Sequence, residues 1–162
     1  MSDVSIRQAE PTDAATIHEL IRALAAFERE PEAVRATPES IAQQMRWDHP
    51  PFECLLAEKD GRAVGFALFF TSYSTWRGRP GIWLEDLFVR EEERGGGVGE
   101  ALLRAVGRLA VQRGCGRLEF AVLDWNQAAI RFYRALGAVP MDQWTIFRFE
   151  GDALVRFGAV DA

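Results

Sequence analysis

Three stretches of this sequence carry residue types that could do chemistry. In the first, Glu85 and Asp86 interrupt the otherwise apolar run Ile82–Val89. A buried carboxylate without a partner is costly, so acids in such a run need either a structural partner or a task. Neighbouring residues of a strand point to opposite faces, so the pair is expected to divide between two faces, with Asp86 the structural one. The second stretch, Arg94-Gly95-Gly96-Gly97-Val98-Gly99-Glu100, sets glycines directly against a helix start. The first N–H groups of a helix have no partner inside it. The macrodipole adds about half a positive charge at that end, and glycine lets backbone approach a phosphate without a Cβ in the way. Such a turn can cradle a pyrophosphate, with Arg94 adding positive charge; a loose connection is the other reading of a lone glycine run. The third stretch opens with Asn126-Gln127-Ala128-Ala129 and reaches Tyr133. At helical spacing Asn126, Ala129 and Tyr133 share one face, although periodicity alone makes Tyr133 a core aromatic beside Phe132.

The surrounding elements must position these groups. Val4–Arg7 reads as a short strand. Pro11-Thr12-Asp13 opens a helix with apolar positions Ile17, Leu20, Ile21, Leu24 and Phe27, ended by Glu30-Pro31. Thr37-Pro38 caps a second helix, which stops before His49. Phe52–Glu58 and Arg62–Thr71 read as strands joined by Lys59-Asp60-Gly61, a strong hairpin signal. Ile82–Val89 is the next strand, Val98–Arg113 a helix stopped by Gly114, and Leu118–Leu123 a strand. Asn126–Leu136 is a helix ended by Gly137, and Trp144–Phe149 a last strand. The tail from Gly151 suits a helix or a strand. Strands alternate with helices only in the second half, which predicts an α/β chain with a mixed central sheet, antiparallel early and parallel late. At 162 residues, with no linker and no repeats, residues 1–162 read as a single domain.

Composition narrows the function classes. The net charge of −5 and the lack of a basic stripe exclude a nucleic-acid binder. The longest apolar run, Val64–Phe70, is too short to span a bilayer, and the N-terminal stretch lacks an apolar signal core. Cys54 and Cys115 lie far apart, as expected of reduced thiols in a cytoplasmic protein. With only His18 and His49, no metal site is expected. The glycine turn is no P-loop, since no Gly-Lys-Ser/Thr follows. Nor is it a Rossmann fingerprint, which belongs after the first strand.

The spacing Arg94-x-x-Gly97-x-Gly99 after an apolar strand resembles motif A of the GNAT acyltransferase superfamily. Asn126-x-x-Ala129-x-x-x-Tyr133 with Gly137 is similar to that family's second coenzyme A helix. Phe27-Glu28, Ser74-Thr75-Trp76-Arg77-Gly78-Arg79, Trp83–Val89 and Val122–Gln127 resemble the spermidine/spermine acetyltransferase group, and within it the thialysine acetyltransferase branch.

That resemblance implies the GNAT fold and an N-acetyltransferase that uses acetyl-CoA as cosubstrate and no metal. It implies that Glu85 removes the proton of the amine, through a water, and that Tyr133 protonates the departing thiolate. The backbone of Leu87, Phe88 and Val89 is expected at the acetyl and pantetheine groups, where the strand splays from its neighbour. The turn from Arg94 through Gly95, Gly96, Gly97, Val98, Gly99 and Glu100 is expected at the pyrophosphate. Asn126, Gln127, Ala128, Ala129 and Tyr133 are expected on the other side of the cofactor. Phe27, Glu28, Trp76, Glu85, Glu119, Phe120 and Ala121 are expected at the amine, although each acid could equally be a solvated face. Spermidine enzymes carry Asp-Pro where this chain has Ser74-Thr75. An acid is therefore missing for a long polycation, and Arg77 is added. A thialysine- or lysine-like amino acid or a short diamine is the expected acceptor; a polyamine is the alternative, and a non-catalytic acetyl-CoA-binding module a more distant one. Relatives imply a homodimer, with no nucleic-acid or membrane partner.

Overall fold

The computed structural model describes residues 3–159, in two compact units that meet in sequence between Ala121 and Val122. The first unit is built on a five-stranded sheet of order β1-β2-β3-β4-β5. Its elements are β1 (Ser5–Gln8), α1 (Ala14–Phe27), α2 (Pro38–Met45), β2 (Glu53–Lys59), β3 (Arg62–Ser74), β4 (Arg79–Val89), α3 (Val98–Gln112) and β5 (Leu118–Glu119). The first four strands pair antiparallel; β4 and β5 pair parallel, with α3 as the crossover. The mixed sheet expected from the element order is therefore present.

Local chemistry explains the boundaries. The Thr37 hydroxyl accepts from the Ser40 N–H at 3.1 Å and the Ser40 hydroxyl accepts from the Thr37 N–H at 2.9 Å, a reciprocal cap ahead of Pro38. Lys59 pairs with Arg62, leaving a two-residue turn in which Asp60 and Gly61 have φ of 52° and 75°. Two left-handed residues are what a type I′ hairpin demands. At the end of α1 the Glu30 N–H reaches the Ala25 carbonyl at 2.9 Å, while Arg29 turns left-handed with φ 66°. That closure fixes Glu28 on the last turn.

Side chains pack on both faces of the sheet. On one, Ile17 and Leu20 of α1 and Ile41 of α2 bury against Leu56, Phe66 and Phe88. On the other, Val98, Leu102 and Val106 of α3 bury against Ala67, Phe69, Ile82 and Leu84. A Cβ on Gly65 would stand 2.7 Å from the Phe88 carbonyl and 3.2 Å from Leu102, so the close approach of the β4 backbone requires glycine there.

The alternation of β4 breaks in the middle. Leu68 pairs with Asp86 and Phe69 with Leu84, which leaves Glu85 as an extra residue, a β-bulge. Before the bulge Ile82 and Leu84 face α3; after it Leu87 and Val89 do, and Phe88 faces α1. Glu85 and Asp86 therefore share the α1 face, and the expected division between two faces is corrected.

The second unit contains α4 (Gln127–Ala135) and α5 (Gly151–Gly158). The Asn126 side-chain oxygen accepts from the Ala129 N–H at 3.2 Å and caps α4; Gly137, with φ 98°, follows its end. The tail from Gly151 is a helix as far as Gly158, with Phe149 and Phe157 rings stacked at 4.3 Å; residues 160–162 lie outside the described residues. Two expected strands are not formed as read. Pairing at Leu118–Leu123 covers only Leu118 and Glu119, and Trp144–Phe149 has no strand among the described residues. A strand exists only where a ladder partner is present, and no described segment pairs with residues 144–149. No helix of the described residues is long and apolar enough to cross a membrane.

Candidate functional site

The site in the first unit has two parts, an acidic corner and a glycine turn, linked by the end of β4. The corner brings together Glu28 from the end of α1 with Glu85 and Asp86 from the bulge. Glu85 is exposed and accepts from the Trp83 indole N–H at 3.0 Å. Asp86 is half-buried: desolvation, followed by the like charges of Glu85 and Glu28, pushes its carboxyl up to about 7. Desolvation also raises Glu28, with Glu85 as the second cause. Below the corner, burial and then Asp86 push the Cys54 thiol up to about 12, so it is inert. Three acids crowded on one face, with one titrating near neutrality, form a place for a cation that must give up a proton. Asp86 is the residue whose face differs from the one expected. The alternation that assigned it to the opposite face holds only for an unbulged strand.

Other expected amine-site residues are placed as follows. Glu119 lies opposite Trp83 in the parallel ladder, its carboxylate paired with Arg117 at 2.7 Å. Phe120 packs against the α3-side core, on the face opposite the corner, because alternation from Glu119 turns it there. Ala121 is exposed at the end of the unit. Trp76 is 87% exposed in the β3–β4 turn. There the buried Ser74 hydroxyl accepts from the Arg77 N–H at 3.1 Å, so Ser74 serves the turn itself.

The ladder between β4 and β5 ends at Trp83 and Glu119, and from Leu87 to Val89 the described pairing of β4 is with β3 only. One backbone edge of that segment thus has no ladder partner among the described residues. The turn follows. Gly95 and Gly97 have φ of 84° and 83°. A Cβ at either would meet nothing within 4 Å, so conformation rather than crowding selects glycine and space remains above the turn. Gly97 is the N-cap of α3, without a side-chain cap, which leaves the N–H groups of Val98, Gly99 and Glu100 for an anion. Glu100 in that first turn is paired with Arg104 at 2.7 Å. Arg94 does not extend alone above the turn. Its Nε donates to the Val89 carbonyl at 3.0 Å, and its guanidinium lies 4.4 Å from the Phe27 ring centroid and 5.4 Å from that of Phe88.

In the second unit Asn126, Gln127, Ala128, Ala129 and Tyr133 lie along α4, with the Tyr133 ring edge-on to Phe132 at 5.2 Å. Gln127 donates from its amide to the Asp124 carbonyl at 2.9 Å, fixing the entry to the helix. No group of three or more His, Cys, Asp or Glu that could hold a metal occurs among the described residues.

The chain as a whole is similar to known proteins. A model of the acetyltransferase (GNAT) family matches residues 17–138. A thialysine N-epsilon-acetyltransferase of Bos taurus is 39% identical over 165 aligned positions, covering 95% of this chain and 96% of the relative. An L-ornithine N5-acetyltransferase of Arabidopsis thaliana is 34% identical, covering 92% of this chain and 85% of the relative. Among solved structures, an integron cassette protein from the mobile metagenome of V. cholerae superposes with a TM-score of 0.83 at 22% identity, covering 99% of each chain.

Proposed function

This chain belongs to the GNAT acetyltransferase family, and from that premise we propose that it acetylates the side-chain amine of a lysine-like amino acid or a short diamine. As an acetyl-CoA-dependent acyltransferase it receives the acetyl group as a thioester. The relatives that act on thialysine and on L-ornithine support an amino acid with a side-chain amine as acceptor. The acidic corner carries the reading: Glu28, Glu85 and Asp86 suit a cationic amine that must be neutralised before it can attack. A free ammonium has a pKa of about 10.4 and is no nucleophile at pH 7.

Each group then has a role. Glu28 and Glu85 bind the ammonium. Glu85, oriented by the Trp83 indole, takes its proton through a water. Backbone N–H groups of the segment Leu87–Val89 orient the acetyl and pantetheine portions. The turn from Gly95 to Glu100 holds the pyrophosphate, and Asn126–Ala129 the same cosubstrate from α4. Tyr133 keeps a proton at its hydroxyl for the leaving sulfur. Trp76 covers the aliphatic part of the acceptor.

Family matching across residues 17–138, on both sides of the boundary at Ala121, supports one catalytic domain over residues 1–162. The free thiols Cys54 and Cys115 support a reducing, cytoplasmic location. Exposed Trp144, Ile146, Phe147 and Phe157 of the second unit support a homodimer that covers them. The test of the activity is an amine panel assayed for thiol release, with mass spectrometry locating the acetyl group. Thiol release matched one for one by acetylated side-chain amine is expected. Tight coenzyme A binding with no product from any amine would instead leave a non-catalytic acetyl-CoA-binding module.

A further inference from the structure

We propose that Arg94 is a positioning residue that couples the pyrophosphate turn to the amine corner through Phe27. This inference rests on the acetyltransferase reading above and adds a task for a residue whose position in the turn assigns it only to phosphate. Three contacts carry it. The Arg94 backbone immediately precedes Gly95, so any ligand that fixes the turn also fixes the start of the arginine side chain. Its Nε is held by the Val89 carbonyl at 3.0 Å, at the end of the strand that borders the corner. Its guanidinium lies over Phe27 at 4.4 Å and near Phe88 at 5.4 Å. Phe27 is 41% exposed and is the last residue of α1; the next residue is Glu28, whose carboxyl faces Glu85 across the corner. Phe88 is buried beneath both, edge-on to Phe66 at 6.5 Å. Arg94 thus touches α1, the end of β4 and the turn at once, and the planar guanidinium is what allows it to stack while donating in its plane.

The consequence is thermodynamic. A cosubstrate that restrains the turn restrains Arg94 and, through its ring contact, Phe27 beside Glu28, so the amine meets a stiffer corner. Coupling of this kind is reciprocal: the amine must tighten the cosubstrate by the same factor. A cation–π contact in a partly desolvated place corresponds to about a 3- to 30-fold effect.

The experiment is calorimetric titration of the wild type, Phe27→Leu, Arg94→Gln and Arg94→Lys with the best amine of the panel, with and without saturating coenzyme A. Circular dichroism melts confirm that each variant is folded. In the wild type, coenzyme A is expected to tighten the amine about 3- to 30-fold. All three variants are expected to bring that factor close to one, and Arg94→Gln combined with Phe27→Leu to do no more than either alone. Phe27→Leu keeps the entire turn, so a loss of coupling there cannot come from a damaged phosphate site. A wild type without coupling, or coupling retained in Phe27→Leu or Arg94→Gln while only coenzyme A affinity falls, overturns the proposal and leaves Arg94 a phosphate contact. A wild type that binds no coenzyme A overturns the acetyltransferase reading beneath it instead.

Discussion

The glycine turn and the acidic corner lie at opposite ends of one stretch of chain, Glu85 to Arg94, and are built by different means. The turn is local. Seven consecutive residues supply the left-handed positions, the uncapped helix start and the arginine, and their conformations follow from their types. The corner is assembled from residues 28, 85 and 86, and exists only because a bulge moves Glu85 and Asp86 onto the face where α1 ends. The half proposed for the cofactor therefore tolerates little change inside a short motif, whereas the half proposed for the acceptor depends on packing and register across the sheet. That is the economical arrangement for a family that keeps its donor and varies its acceptor.

The largest expected effect is on the turn alone. Gly97→Glu forces a side chain into a left-handed conformation costing about 1–2 kcal/mol and sets a negative charge where the pyrophosphate belongs. Coenzyme A affinity measured by calorimetry is expected to fall at least ~100-fold, while the pH titration of the corner is unchanged. An affinity equal to the wild type removes the phosphate-cradle reading.

Next come the two groups proposed for proton transfer. Glu85→Gln and Tyr133→Phe are each expected to lower the single-turnover rate about 10²-fold or more without weakening coenzyme A binding. Raising the pH toward the amine's own pKa is expected to restore part of the Glu85→Gln loss and none of the Tyr133→Phe loss. A chemical step that is unchanged in either variant removes that residue from the mechanism.

The corner also has a signature in stability. Asp86 holds its proton in the folded chain up to about pH 7, against 3.8 for an ordinary aspartate. Between those values the folded state binds more protons than the unfolded state, so stability falls as pH rises and levels off above about 7. Asp86→Asn is expected to be more stable than the wild type at pH 8, by about 2–4 kcal/mol, with the difference vanishing toward pH 4. Denaturant melts at the two values measure it; a variant less stable at pH 8 would show that Asp86 has a stabilising partner there.

The smallest effect sharpens the description of the turn. The Glu100 carboxylate is committed to Arg104, and its backbone N–H is the part offered to the anion. Glu100→Gln is expected to change coenzyme A affinity by less than about threefold, with the difference shrinking as salt is added. A large change would mean that the side chain itself meets the ligand.

What could be read from the sequence follows the same division. Asp60-Gly61 gave its hairpin and Thr37-Pro38 its helix cap because the information lies within four residues. The glycine turn was legible for the same reason. Glu85 and Asp86 were visible as misplaced acids in an apolar strand, but not their shared face, since the bulge is set by pairing with Leu68 and Phe69. The apolar run on both sides of the bulge hid the change of phase. The face of Phe120 is hidden for a related reason: it follows from the register of Glu119 beside Trp83, which is tertiary. At Trp144–Phe149 apolar and aromatic residues suit extended backbone, yet a strand also needs a partner. The Arg94–Phe27 contact spans 67 residues of sequence, and nothing in either local stretch announces it.

The most direct test of the central claim is the ratio of kcat/KM for thialysine or lysine to that for spermidine, measured by thiol release at saturating acetyl-CoA. A lysine-like acceptor reading through the acidic corner predicts a ratio well above one, with kcat/KM for the lysine-like amine itself lowered by Glu28→Gln. A clear preference for spermidine would contradict the acceptor assignment.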